Sequence, residues 1–325
     1  MLKQVHLINP MGNASGGSEW RTLRLCEELS RHCDVHLWSS SEPNPRFSDY
    51  PIRRLSLSRM SFPKTGTFII VGVYHELGSW IHLARPTRTI LIYNTSRPDL
   101  LRDRLHQLQR FGKPKVEIVF AARWLMDACN LSGPVEMSPI DLERFAPAAY
   151  EDDDGRNGRF TIGRLSRDHS KKHHPNDIGI YRRFVSEGGS VTIMGGRCLA
   201  GELADVPEVT LLPSGAQEPE LFLKNLDCFF YRTSEKYFEP SGRVVSEAMA
   251  CGLPVVCHRR GGYSEYIKDR VDGFLFDTDA EAVDILRTLK TDQAIRRRVG
   301  QAARKKLEDS LAPAVRDQFI QFYTR

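Results

Sequence analysis

The chain has 325 residues, 41% apolar and 27% charged, which is the balance of a soluble globular protein. No stretch approaches the run of about 18 apolar positions that a spanning helix needs, and the first ten residues lack the pattern of a signal peptide, so a cytoplasmic protein is expected. The seven cysteines never take zinc or dithiol spacing, so no metal site is expected. The net charge of +5 is too mild to require nucleic acid; it suits anionic ligands and also loose attachment to an anionic membrane surface.

Short apolar runs alternate with helix-length amphipathic segments, the pattern of βα units in parallel sheets, so the fold class read here is α/β. In chain order, strands are expected at residues 4–8, 34–38, 68–73, 89–93 and 116–120. Helices are expected at 18–31, 77–83, 100–111 and 123–129. The second half repeats the rhythm with strands at 160–162, 190–194, 209–212, 228–231, 254–257 and 273–276, then helices at 279–289, 292–309 and 311–323. Pro147, the acidic run 151–154 and Gly155 and Gly158 break the periodicity between the halves. This predicts a first domain over 1–145, a linker over 146–159 and a second domain over 160–310, with 311–325 as a C-terminal helix of the kind that packs back on a first domain.

Three motifs could carry chemistry. Gly16 and Gly17 follow the first strand and open a helix, where backbone amides and the helix dipole favour an anion; a plain turn with Ser18 as N-cap reads the same residues. Gly163-Arg164-Leu165 ends a strand and leads to Lys171 and Lys172, placing cations where open α/β sheets bind ligands. A solvated basic loop is the bland alternative there, and His169, His173 and His174 read as surface or capping residues. The third motif runs from Phe238 to Val256. Ser241 and Gly242 start a helix that Gly252 ends, with Glu239 just before it and Glu247 about two turns inside. Two carboxylates so spaced can each hold a pair of hydroxyls, one on a sugar and one on a ribose, with a diphosphate between them at the helix N-terminus.

With these pieces in this order the chain resembles the retaining glycosyltransferases of family 4. That resemblance implies a GT-B architecture, two Rossmann-like domains facing a central cleft, and transfer from a nucleoside-diphosphate sugar to a hydroxyl acceptor without a metal or other cofactor. It assigns Glu239 to the transferred sugar and Glu247 to the ribose, and gives Arg164 with Lys171 or Lys172, Lys172 preferred, to the diphosphate. Gly16 and Gly17 look like the family's first-domain loop facing the same phosphates, with Ser241 and Gly242 on the donor side, and Gly261-Gly262 with Glu265 also resembles a family segment. On the acceptor side Asn94 stands where relatives often carry a His, and His75 is the nearest substitute.

The resemblance further implies a saccharide or lipid-linked acceptor, surface polysaccharide or glycolipid synthesis, no nucleic acid partner, and peripheral attachment at the inner face of a membrane. Closure about the 146–159 hinge would exclude water. Two other readings use the same scaffold: a sugar-nucleotide epimerase or phosphorolytic enzyme, and a sugar-nucleotide-binding protein without catalysis, which Asn94 keeps open.

Overall fold

The computed structural model describes residues 3–109, 115–148 and 158–325. It contains two compact units, Met1–Pro139 with Ala312–Arg325, and Ile140–Leu311.

The first unit is built on six parallel strands: β1 (Gln4–Asn9), β2 (Asp34–Ser39), β3 (Ile52–Arg54), β4 (Thr67–Val71), β5 (Arg88–Tyr93) and β6 (Val116–Phe120). Their order is β3-β2-β1-β4-β5-β6, so the strand order reverses between β1 and β4. Val5, Leu7, Ile69 and Val71 point to one face and pack under α1 (Gly17–Leu29) and the last helix (Pro313–Thr324). Ile8, Phe68, Ile70 and Leu91 point to the other face, toward α2 (Pro98–Gln109) and α3 (Arg123–Cys129). Burial on both faces is why the central strands read as continuous apolar runs.

Strand β3 was not among the expected strands, because its Arg53 and Arg54 are exposed at the sheet edge. The helix expected over 77–83 is only a 3-10 turn, Ser79–His82, preceded by Gly78 at φ 81°. The last helix is tied to this unit through Glu136, which is fully buried. Its carboxylate accepts hydrogen bonds from Arg21 Nη2 (2.5 Å), Arg316 Nη1 (2.8 Å) and the Tyr323 hydroxyl (2.6 Å).

The second unit has strands β7 (Thr161–Leu165), β8 (Ser190–Met194), β9 (Val209–Leu212), β10 (Cys228–Tyr231), β11 (Val255–His258) and β12 (Phe274–Phe276). They run parallel in the order β12-β11-β10-β7-β8-β9, again reversing beside the first strand of the unit. Six helices follow the strands: α4 (Asp177–Ser186), α5 (Ala200–Leu203), α6 (Pro219–Lys224), α7 (Arg243–Ala250), α8 (Asp279–Thr291) and α9 (Gln293–Ser310). Helices α8 and α9 start on side-chain caps, Thr278 accepting from Glu281 N and Asp292 from Ile295 N. Helix α9 approaches the end of α7 so closely that a Cβ on Gly300 would lie 2.1 Å from the Gly252 carbonyl.

The division between units falls at Pro139 and Ile140, earlier than the expected boundary at 145. Arg304 Nη1 on α9 donates to the carbonyls of Leu142 (3.0 Å) and Phe145 (3.1 Å), which holds that segment on the second unit. Of the linker expected at 146–159, residues 149–157 lie outside the described residues. Among the described residues no helix is long and apolar enough to cross a membrane.

Candidate functional site

In the second unit the strand order reverses between β7 and β10, and the C-terminal ends of such strands are where open α/β sheets leave a crevice. Arg164 near the end of β7 and Tyr231 at the end of β10 meet there, the guanidinium 4.5 Å above the Tyr231 ring. Arg164 differs from the sequence expectation. Its side chain is fully buried, and Nη1 and Nη2 donate to the main-chain carbonyls of Arg232 and Lys172, both at 2.5 Å. Asp177 at the start of α4 lies 3.8 Å away. In this structure Arg164 holds the main chain of Lys172 in place instead of presenting its own fork to a ligand.

Lys172 reaches the site that Arg164 does not. Its Nζ lies 2.7 Å from Glu239 Oε2 and 4.2 Å above the Tyr237 ring. The Tyr231 hydroxyl donates to the same Glu239 oxygen at 2.7 Å. Lys171 is exposed, so the geometry separates the two lysines. Burial acts on both charges of the pair. It outweighs the attraction of Glu239 and holds the Lys172 ammonium below its usual value, whereas at Glu239 the burial penalty is overcome by Lys172 and Tyr231, which keep the carboxyl low. These two directions oppose each other across one contact. A 2.7 Å approach with a second donor on the same oxygen is the geometry of an ionised pair, so the lowered carboxyl governs.

The loop that carries Glu239 is pinned from both sides. Ser234 N donates to the Lys171 carbonyl at 3.2 Å, and Gly262 N donates to the Glu239 carbonyl at 2.9 Å. Gly242 then enters α7 at φ 70°, a region open to glycine, and a Cβ there would stand 2.6 Å from Tyr263 Cδ1. No side chain caps α7, Ser241 included. Tyr266 supports the turn from below, its hydroxyl 3.2 Å from the Ser241 and Gly242 carbonyls. Glu247 is buried within α7 and accepts from Arg243 Nε at 2.8 Å; burial prevails over that pairing and pushes its carboxyl up.

The first unit holds the remaining candidates. Gly16, not Ser18, is the N-cap of α1; Ser18 Oγ accepts from Asn9 Nδ2 at 2.8 Å. The Glu19 carboxylate folds over Gly16, with Oε2 only 2.0 Å from where a Cβ would be. A negative group therefore already occupies the positive end of α1, which disfavours a phosphate at Gly16 and Gly17. Asn94 follows β5 directly and its Oδ1 lies 3.6 Å from a Cβ built on Gly72, beside the β1/β4 reversal. His75 is buried beyond the end of β4, and its Nε2 has no hydrogen-bond partner among the described residues. Burial, then Arg104, lowers its pKa to about 3, so the ring is neutral. His169 and His174 do accept from nearby amides, those of Lys171 and Asn176, but His173 is buried on the Gly195 carbonyl at 2.9 Å.

Tyr231, Tyr263 and Tyr266 escaped the sequence reading, and Tyr237, which directly precedes Phe238 of the third motif, was given no role there. Tyr263 had a local signal in its place after Gly261-Gly262; Tyr231 and Tyr266 depend on partners more distant in the chain.

Two six-stranded parallel sheets, each reversing beside its first strand, define a GT-B fold. Solved structures agree: HepE of Anabaena, crystallised in complex with UDP, aligns at TM-score 0.76 over 98% of this chain and 99% of its own, with 14% identity. Sucrose-phosphate synthase of Thermosynechococcus elongatus aligns at 0.74 over 99% and 98%, with 17% identity. Residues 198–306 match the family described as Glycosyl transferases group 1, and this segment contains Glu239, Gly242 and Glu247. The D-inositol 3-phosphate glycosyltransferase of Arthrobacter sp. (strain FB24) is 45% identical over 69 residues, 21% of this chain and 16% of that protein. The matched stretches span only 16–22% of the curated relatives' own lengths.

Proposed function

We propose that this chain is a glycosyltransferase that moves a sugar from a nucleoside-diphosphate sugar to a hydroxyl acceptor with retention of configuration and without a metal ion. The observation that carries the reading is the Lys172, Glu239 and Tyr231 cluster at the strand reversal of the second unit, beside an uncapped α7. Lys172 and the first amides of α7 bind the diphosphate. Glu239 accepts from the sugar hydroxyls, Glu247 from the ribose, and Arg164 positions Lys172 through its carbonyl. The bond from the anomeric carbon to the phosphate oxygen breaks as the acceptor oxygen bonds to that carbon on the same face, and the acceptor proton passes to the departing diphosphate. Binding energy is thus used on charge that develops as the nucleotide leaves.

The acceptor in this reading is a saccharide or lipid-linked sugar of surface polysaccharide or glycolipid synthesis, reached by peripheral attachment at the inner face of a membrane. HepE was crystallised with UDP-glucose, which makes UDP-sugars the first donors to try. A thermal-shift screen of UDP-, GDP- and dTDP-sugars identifies the nucleotide, because a bound donor stabilises the fold by mass action. Release of nucleoside diphosphate that accelerates only when acceptor is supplied supports transfer. Conversion of the donor with no acceptor overturns it, and so does a donor-induced shift without turnover across a broad acceptor panel.

A further inference from the structure

Residues 51–88 of the first unit are a basic stretch. Between Pro51 and Arg88 stand six basic residues (Arg53, Arg54, Arg59, Lys64, Arg85 and Arg88) and one acidic residue, Glu76; Arg54 and Arg88 pair with Glu42 and Glu117 outside the stretch, so Arg53, Arg59, Lys64 and Arg85 carry its charge. Four of the seven large apolar side chains exposed among the described residues fall in this stretch: Leu57 (40%), Met60 (55%), Tyr74 (65%) and Leu83 (54%). Its segments are joined, since Arg85 N donates to the Lys64 carbonyl at 2.7 Å and the tilted Phe62 and Trp80 rings pack with centroids 6.1 Å apart.

Leu57 and Met60 lie at the tip of a hydrogen-bonded hairpin. Ser56 and Ser61 exchange main-chain hydrogen bonds of 2.8 and 2.9 Å, Met60 N closes the turn on the Leu57 carbonyl at 3.0 Å, and Arg59 N donates to Ser56 Oγ at 3.2 Å. Met60 sits at φ 50°, a conformation that glycine or asparagine fills with less strain. Its side chain is more than half exposed, so core packing gives little reason for a methionine there.

We infer that this hairpin and its flanking cations are a docking surface for an anionic phospholipid membrane, with Leu57 and Met60 entering the boundary between headgroups and acyl chains and Arg59, Lys64 and Arg85 facing the lipid phosphates. Aliphatic side chains between cations suit lipid. A single-stranded nucleic acid site would offer a row of aromatic faces for stacking, whereas Tyr74 is the single exposed Phe, Tyr or Trp of this stretch beside the aliphatic Leu57, Met60 and Leu83. The assignment deepens the proposal of peripheral attachment and does not depend on sugar transfer.

The full chain is sedimented with vesicles of phosphatidylcholine alone and of phosphatidylcholine with phosphatidylglycerol. Binding is expected to the anionic vesicles only and to weaken with salt. Leu57→Ser with Met60→Ser is expected to lower partitioning at least about tenfold, and Arg59→Gln and Lys64→Gln about fivefold each. Met60→Gly keeps or raises the melting temperature while weakening partitioning, so loss of binding is separated from loss of fold. Leu221→Ser with Val271→Ser, exposed apolar positions of the second unit, leaves partitioning unchanged. Donor-induced thermal shifts, read on the same samples, stay as in the parent chain and report on the transferase reading separately. The inference is overturned by absence of binding to anionic vesicles, by binding that survives the Leu57 and Met60 changes, or by equal binding to single-stranded DNA lost in the same variants.

Discussion

Lys172 Nζ and Glu239 Oε2 stand 2.7 Å apart with both side chains 11% exposed, so the two groups assigned to the donor neutralise each other. Glu239→Gln leaves the ammonium buried without its anion and is expected to cost about 3 kcal/mol of stability, measured by urea unfolding, along with transfer activity. Lys172→Met in the same chain removes the stranded charge. The double variant should regain most of the stability and none of the activity; a double variant as unstable as the single one would show that the pair is not the reason.

Gly242→Ala tests the entry to α7. An alanine at φ 70° is strained by about 1 kcal/mol, and its Cβ meets Tyr263, which is fully buried and has no room to retreat. A loss of at least about 2 kcal/mol is expected, with weaker donor binding by calorimetry. An unchanged melting temperature would contradict the contact.

Acid should loosen the fold from a higher pH than carboxylates alone dictate. Burial lowers the pKa of His6 to about 4 and those of His75 and His173 to about 3, all from 6.5. A depressed histidine pKa means that the unfolded chain binds the proton first. Stability is therefore intact above pH 6.5 and falls as pH drops toward 4, at up to about 1.4 kcal/mol per pH unit for each ring. Urea midpoints between pH 7.5 and 4.5 measure the slope, and replacing the three rings by glutamine should flatten it. Glu239, held low by Lys172, adds its own loss as pH falls through the ordinary carboxylate value toward its depressed one.

Glu136→Ala removes the acceptor of Arg21, Arg316 and Tyr323 together. Arg21 then loses its carboxylate partner while Arg316 keeps Glu28, and a destabilisation of about 3 kcal/mol is expected. Hydrogen exchange should show the last helix opening before the sheet of the first unit. Protection of that helix equal to the parent's would refute this anchor.

The βα rhythm was legible because central parallel strands are buried on both faces and therefore apolar throughout, as in residues 228–231. Strand β3 was hidden by two exposed arginines, and helices α5 and α6 by their length of only four and six residues. Within the candidate site, Glu239 and Gly242 stood out through local spacing. The preference for Lys172 over Lys171 becomes geometric only when residues 67 positions apart meet. Arg164 shows the limit most clearly: a cation at a strand end reads as a ligand contact, and nothing nearby in the chain reveals that the carbonyls of Arg232 and Lys172 enclose it.

The union of Ala312–Arg325 with Met1–Pro139 has a consequence for biosynthesis. A ribosome adding about 5–20 residues per second needs roughly ten to forty seconds to pass from Pro139 to the last helix. Throughout that interval the nascent first unit holds Glu136 and Arg21 without Arg316 or Tyr323, while the contiguous second unit emerges whole. The half of the protein made first is thus the half completed last, and its unfinished face is the one open to chaperones.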